Sequence, residues 1–226
     1  MSITHLDLQT ITPESPAYPI ALKTCAAFKK PPTLHAIGNL NLLTQTPIAL
    51  FCSIKCPGDL ILKTYDLAQA LHDHGIPVIS GFHSPIEKDC LKILQRGSQP
   101  IIHCPARSIH KTRPSPDQLK AIEDNRLLIL SPFSASYPRV TTELALKRNE
   151  MIGAIAHTIF IAYAAPNSKT IALAQSLTKI RKAVFTFDSD HTKFLQEQHI
   201  IGLDIDAIVQ QCLETQIIGI AADRVT

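Results

Sequence analysis

From Pro47 onward, short apolar runs alternate with segments of helical periodicity, and this alternation constrains the fold more than any other feature. The runs are hydrophobic at both odd and even positions, as expected for strands covered by helices on both faces of a sheet. The pattern therefore predicts an α/β protein with a Rossmann-like, doubly wound, mostly parallel sheet. Strands are predicted over residues 48–52, 77–80, 101–104, 127–130, 158–163 and 183–187.

Two of the predicted helices carry matching start signals. Ser84 and Ser115 are each followed directly by proline, and Glu87 and Gln118 stand three positions after them. A capping serine, a proline in the first turn and an acid or amide at the third helical position form a capping box. Further helices are predicted over residues 59–75 and 142–155. The apolar run 217–222 fits either a strand or a helix.

The chain divides into two predicted segments. Residues 1–45 are expected to form an irregular N-terminal arm and lead-in segment, because Thr12-Pro13, Ser15-Pro16 and Pro31-Pro32 disfavour regular helix. Residues 46–226 are expected to form one Rossmann-like α/β domain. Since 45% of the 226 residues are hydrophobic, the chain can bury a core of this size and a wholly disordered protein is excluded.

The glycine pattern excludes the commonest nucleotide-binding motifs. The chain has eight glycines and no G-x-G, so it lacks both the dinucleotide fingerprint and the P-loop. It also lacks G-x-S-x-G and H-E-x-x-H, which mark hydrolase and zinc-protease sites. The sequence thus predicts no cofactor, no metal and no catalytic residues, and it favours a binding protein over an enzyme.

The cysteines and the N-terminus bear on cellular location. Among six cysteines only Cys52 and Cys56 are close in sequence, so the cysteines are predicted to be small buried hydrophobes and not zinc ligands. The N-terminus lacks a signal-peptide pattern, and no apolar stretch reaches the ~20 residues of a membrane span. These features predict a cytoplasmic protein with reduced thiols. A formal charge of +3 permits a polyanionic partner without requiring one.

Hydroxyl and cationic side chains follow several of the predicted strands. Ligands of an open parallel sheet bind outside the carboxyl ends of its strands, where helix N-termini favour anions. These segments are almost free of carboxylates, with Glu87 the nearest, and therefore predict a phosphate site. The predicted ligand-binding residues are Ser53, Lys55, Ser80, Gly81, His83, Ser84, Arg107, Lys111, Ser131, Asn167, Ser168 and Lys169. Phe82 and Phe133 are the predicted base-stacking residues.

A series of motifs in the chain resembles the Rossmann-like core of the DNA-processing protein A family. The resemblance spans residues 18–187, and its order and spacing are more specific than any one motif. The chain departs from the family pattern where Cys52 and Ile54 replace the glycine and the arginine of Gly-Ser/Thr-Arg, and where Glu150 replaces an arginine. The matching residues are Tyr18-Pro19, Leu22, Pro31-Pro32, Gly38-Asn39, Val78-Ile79-Ser80-Gly81, Arg148-Asn149 and Arg181-Lys182-Ala183-Val184-Phe185.

This resemblance implies a function and partners. It implies a protein that binds single-stranded DNA and takes part in DNA uptake, transformation and recombination, with Arg148 and Asn149 among its phosphate-binding residues. It also implies a homodimer and a recombinase partner. Two alternatives remain: a small-nucleotide sensor or phosphoribohydrolase-like enzyme, although the Gly-Gly-x-Gly-Thr turn of such enzymes is missing, and a degenerate scaffold that has lost its ligand.

Overall fold

The computed structural model describes residues 7–223 of the chain. Within this range the strands are β1 Gln9–Ile11, β2 Leu34–Gly38, β3 Ile48–Cys52, β4 Val78–Ser80, β5 Ile101–His103, β6 Leu127–Ser131, β7 Thr158–Tyr163, β8 Ala183–Phe187 and β9 Ile201–Leu203. The α-helices are α1 Gly58–Asp73, α2 Pro85–Leu94, α3 Pro116–Glu123, α4 Thr142–Ile155, α5 Lys169–Lys179, α6 Lys193–Gln196 and α7 Ile205–Asp223. Short 3-10 helices occupy Ile20–Lys23, Leu40–Thr44 and Asp190–Thr192.

The strands form one sheet in the order β1-β2-β6-β5-β4-β3-β7-β8-β9. The seven strands from β3 to β9 pair in parallel, whereas β2 runs antiparallel to both β1 and β6. Separate hydrophobic clusters cover the two faces: alternate residues of β3 divide between them, Ala49 to one and Leu50 to the other. The predicted α/β class with a mostly parallel, doubly wound sheet is confirmed.

The six predicted strands are confirmed to within one residue at each end. Three strands are not predicted. β1 and β9 have only three residues each, and β2 follows a proline-rich stretch, so none carries a clear strand signal. The expected irregular arm is wrong for residues 9–11, which pair with β2 at the sheet edge. The division of the chain at residue 45 stays a prediction, although both segments contribute strands to the same sheet.

The predicted helix starts are confirmed in detail. In α2 and α3 the serine hydroxyl accepts the N–H of the third helical residue, and the side chain of that residue accepts the N–H of the serine. The run 217–222, which fitted either a strand or a helix, falls within helix α7. Among the helices of residues 7–223, none combines the length and the apolar character that spanning a membrane requires.

The chain reverses its direction of travel across the sheet between β3 and β7. From β3 it proceeds through β4 and β5 to β6 on one side, and it then returns to β7 and continues through β8 to β9 on the other. The connections after β3 and β7 therefore diverge and leave a crevice beyond the carboxyl ends of these two strands. Such a topological switch point is where open α/β sheets bind their ligands.

Candidate functional site

A cleft of about 340 Å³ opens at this switch point. Four segments form it: the loop after β3, the start of α2, one face of α4 and the start of α5. We call it the switch-point cleft. Its lining residues are Phe51, Cys52, Ser53, Ile54, Lys55, His83, Ser84, Glu87, Ala145, Arg148, Asn149, Ala165, Ser168, Lys169 and Thr170.

The cleft brings together eight of the fourteen residues predicted to bind phosphate, and their binding role stays a prediction. The eight are Ser53, Lys55, His83, Ser84, Arg148, Asn149, Ser168 and Lys169. The other six, which do not line the cleft, are Ser80, Gly81, Arg107, Lys111, Ser131 and Asn167. Within residues 7–223, no His, Cys, Asp and Glu side chains are grouped in a way that would hold a metal ion.

Arg148 is a buried residue that lines the switch-point cleft. Only 3% of the residue is exposed, and its Nη1 donates to the carbonyl oxygen of Cys104 at 2.7 Å while its Nε donates to Asn149 Oδ1 at 2.7 Å. Burial lowers the pKa of Arg148, and the nearby Glu87 carboxylate opposes this shift. The guanidinium thus places positive charge under the cleft with two of its donors already used. Arg148 is therefore better suited to raise the positive electrostatic potential of the cleft than to hydrogen-bond a phosphate directly.

The Arg148 guanidinium occupies the space in front of Gly81. A Cβ atom at position 81 would lie 1.7 Å from Arg148 Nη1 and 2.0 Å from its Cζ. Gly81, directly after β4, is therefore needed because any larger residue would collide with the Arg148 side chain. The predicted ligand-binding role of Gly81 stays a prediction.

The Glu87 carboxylate accepts backbone hydrogen bonds at the N-terminus of α2. Its Oε1 accepts the Cys52 N–H at 3.0 Å, and its Oε2 accepts the N–H groups of His83 and Ser84 at 2.8 and 3.2 Å. The Ser84 hydroxyl in turn accepts the Glu87 N–H. The N–H groups of His83, Ser84 and Glu87 are therefore satisfied internally, and the phosphate-binding role of His83 and Ser84 stays a prediction. Only the exposed imidazole of His83 still faces outward.

The start of α5 keeps its anion-binding character. Ser168 caps the helix by accepting the Ile171 N–H at 3.3 Å, which leaves the N–H groups of Lys169 and Thr170 without partners inside the helix. Ser53 anchors this end, because its hydroxyl donates to Thr170 Oγ1 at 3.2 Å and accepts the Ala165 N–H at 3.1 Å. The helix dipole and free N–H groups favour an anion here.

Two exposed lysines complete the positive side of the cleft. Lys55 lies on the loop after β3 and Lys169 is the first residue of α5, so they approach the cleft from neighbouring segments. The family arginine missing at position 54 is replaced by Ile54, whose side chain is 68% exposed. The cleft is therefore lined by two exposed lysines and a helix N-terminus, a set of groups that favours an anion.

Ser80 and Ser131 share a structural role that their strand-end positions did not reveal. The Ser80 hydroxyl donates to the Leu50 carbonyl at 2.7 Å and accepts the Phe82 N–H at 3.2 Å. The Ser131 hydroxyl likewise donates to the Arg107 carbonyl at 2.8 Å and accepts the Phe133 N–H at 3.2 Å. Both serines are fully buried, so they close the turns after β4 and β6 and do not face a ligand.

The two predicted base-stacking rings are buried. Phe82 is 3% exposed and Phe133 is 4% exposed, so neither ring is available to a base in this structure. Both residues lie just beyond strand ends, where each backbone turns inward at the serine hydrogen bond described above. Phe133 packs with Ala106 and Leu144 in a small cluster of its own.

Tyr137 is an aromatic residue at this edge that the sequence reasoning missed. It is 49% exposed on the loop between β6 and α4, and its ring contacts Phe133 edge-on with centroids 6.2 Å apart. Its carbonyl accepts the Ser108 N–H at 2.8 Å, which ties this loop to the segment that carries exposed Arg107. The sequence could have indicated an exposed ring here, because this tyrosine lies within the polar segment Ser-Ala-Ser-Tyr-Pro-Arg. We call Tyr137, Arg139 and Arg107 the loop platform.

The comparisons with known proteins agree on the fold. The structure of DNA processing protein A from Helicobacter pylori superposes with a TM-score of 0.74 at 21% identity, covering 94% of this chain and 98% of that one. The Streptococcus pneumoniae protein gives a TM-score of 0.72 at 17% identity, covering 87% and 71%. A molybdenum cofactor carrier protein from Chlamydomonas reinhardtii gives 0.52 at 15% identity, covering 75% and 99%.

The sequence comparisons are more selective. A search among curated proteins found no significant match. The family model described as DNA recombination-mediator protein A matches residues 9–208, which include every strand of the sheet and the complete switch-point cleft. This chain belongs to the DNA recombination-mediator protein A family, also called DNA-processing protein A.

Proposed function

We propose that this protein binds single-stranded DNA, with a backbone phosphate held in the switch-point cleft. One observation carries the proposal: Lys55, Lys169 and the N-terminus of α5 converge on the same cleft. The family described above mediates DNA recombination, and the H. pylori relative is described as binding single-stranded DNA.

The geometry favours non-specific electrostatic binding. Lys55 and Lys169 offer exposed ammonium groups, and buried Arg148 adds charge beneath them. Contacts of this kind bind phosphate and carry no base information, so affinity falls steeply with salt and sequence preference is weak. The Glu87 carboxylate, which accepts three backbone N–H groups, lies beside Arg148 and offsets part of its positive charge, so the exposed Lys55 and Lys169 carry the attraction for phosphate.

The loop platform supports a polymeric ligand over a mononucleotide. Tyr137 is 49% exposed and its ring contacts Phe133 edge-on, and the flanking Arg107 and Arg139 are exposed cations. Stacking of bases on aromatic rings beside a cationic track is the usual means of holding a single strand. A strand passing from the cleft to the platform would use both features, whereas a mononucleotide would use one.

We also propose a biological context for this protein. A homodimer, a recombinase partner, a role in transformation and a cytoplasmic location are each proposed from family membership and from the sequence. The small-nucleotide sensor, the phosphoribohydrolase and the degenerate scaffold are not favoured by the family match.

The proposal is tested by comparing ligands of different length. Fluorescence anisotropy would measure the affinity for a labelled thymidine oligonucleotide, with a duplex and thymidine monophosphate as competitors, over a range of salt concentrations. We expect the single strand to bind most tightly, with a log–log salt slope of about −0.7 per phosphate contact. Binding of the mononucleotide without the oligonucleotide would favour a sensor. Release of free base from the mononucleotide would establish an enzyme. If the protein binds neither ligand and releases no base, the scaffold interpretation is left.

A further inference from the structure

Ile54 is an exposed isoleucine that lines the switch-point cleft. The residue is 68% exposed, and its neighbours in the chain, Ser53 and Lys55, line the same cleft. Isolated apolar residues are common on protein surfaces and usually have no function. Ile54 differs from such a residue in its location, because it stands next to a lysine that the proposed function assigns to phosphate. The cleft therefore combines a cation and exposed aliphatic surface on one short loop.

The loop that carries Ile54 is held at both ends. On one side, the Ser53 N–H donates to the Tyr163 carbonyl at 2.9 Å, and the Ser53 hydroxyl is bonded to the start of α5 as described above. On the other side, Pro57 is the N-cap residue of α1. Because both flanks are fixed, a ligand that covers Ile54 has little loop motion to restrict, and the entropic cost of binding is small.

Aliphatic groups are the apolar surface that this cleft offers to a ligand. Ala145 and Ala165 are half-buried and line the cleft together with Ile54. The rings of Phe82 and Phe133, which were predicted to stack on bases, are buried and do not line it. A nucleobase that enters the cleft therefore meets aliphatic side chains, and Ile54 is the most exposed of them.

We propose that Ile54 packs against the nucleobase next to the phosphate that Lys55 contacts, and that this packing lets the cleft distinguish a nucleic acid strand from other polyanions. Phosphate contacts alone cannot make this distinction, because they carry no information about bases. Every base has a flat face, so the contact with Ile54 is tolerant of sequence. The inference rests on the proposed function and identifies the class of polyanion that the cleft selects.

The contact is tested by fluorescence anisotropy with two strands of equal length, a thymidine oligonucleotide and an abasic strand that keeps every phosphate but has no bases. We expect Ile54→Ala to weaken binding of the thymidine strand about fivefold, because apolar surface stays exposed to water. Its affinity for the abasic strand and the log–log salt slope should not change. Ile54→Leu keeps the apolar surface and should keep the affinity. Ile180→Ala is the matched control, since Ile180 is 64% exposed and lies outside the cleft.

Competition with polyphosphate measures the selectivity itself. Polyphosphate should displace the thymidine strand from Ile54→Ala at about one fifth of the concentration that wild type requires, because only the base contact is lost. Unchanged binding of the thymidine strand by Ile54→Ala, or equal weakening of both strands, would overturn the inference and leave the proposed function intact. If wild type bound neither strand, the proposed function would fail and this inference with it. A smaller molecular mass of Ile54→Ala in light scattering would instead assign Ile54 to a contact between protein copies and overturn the base contact.

Discussion

Replacing Gly81 with alanine should displace the Arg148 guanidinium from its buried position. The new Cβ would lie 1.7 Å from Arg148 Nη1, whereas ordinary contacts begin at 3.4 Å, so the guanidinium must move and its 2.7 Å bond to the Cys104 carbonyl must break. A hydrogen bond from a charged group contributes about 1.5–3 kcal/mol. Alanine offsets about 0.4–1 kcal/mol of this by restricting the unfolded chain. We expect a net destabilisation of about 1–2 kcal/mol.

Urea unfolding at constant m-value would measure this loss of stability. Gly58→Ala is the matched control, because a Cβ at position 58 meets nothing within 4 Å; it should be neutral or slightly stabilising. In an Arg148→Ala background the clash is absent, so Gly81→Ala should cost nothing there. The reasoning is refuted if Gly81→Ala is as stable as Gly58→Ala, or if its cost persists without Arg148.

Three further outcomes are expected. Tyr137→Ala should weaken single-strand binding by about 1–3 kcal/mol in anisotropy titrations and leave the salt slope unchanged, while Tyr137→Phe keeps the affinity; a change of slope would refute stacking. Glu87→Gln should cost about 1–3 kcal/mol in urea unfolding, since an amide cannot accept all three N–H groups; an unchanged midpoint would contradict this. Burial, with Arg148 and Arg107 nearby, lowers the pKa of His103 to about 4, below the ordinary 6.5. The unfolded state therefore binds more protons between these values, and stability should fall by about 2–3 kcal/mol as pH drops from 6.5 to 4. His103→Gln should flatten that part of the profile, and an identical profile would exclude His103.

The parts of the fold that were predictable are those encoded locally. The residues of β3 are apolar at every position, and Ser84-Pro85-Ile86-Glu87 specifies the start of α2 without reference to the rest of the chain. The rule that ligands bind beyond the carboxyl ends of parallel strands indicated the edge of the sheet at which the cleft opens. β2 could not be predicted, because its place depends on antiparallel pairing with β6, far away in sequence.

The errors at the candidate site have one physical origin. Position at a strand end does not determine whether a side chain faces the ligand or the core. Ser80 and Ser131 turn inward because carbonyl groups of neighbouring segments accept their hydroxyls, and these turns carry Phe82 and Phe133 into the core. Such contacts depend on tertiary packing and cannot be predicted from the local sequence.

If Lys55 and Lys169 hold phosphate in the switch-point cleft, the salt dependence of oligonucleotide binding must change when both lysines are removed. The double variant Lys55→Ala/Lys169→Ala should reduce the log–log slope by about 1.4, that is, about 0.7 per lost contact. Lys120→Ala/Lys179→Ala removes the same charge from exposed positions outside the cleft and should leave the slope unchanged. Equal slopes for the wild type and the cleft variant, or equal losses in the two variants, would contradict the account.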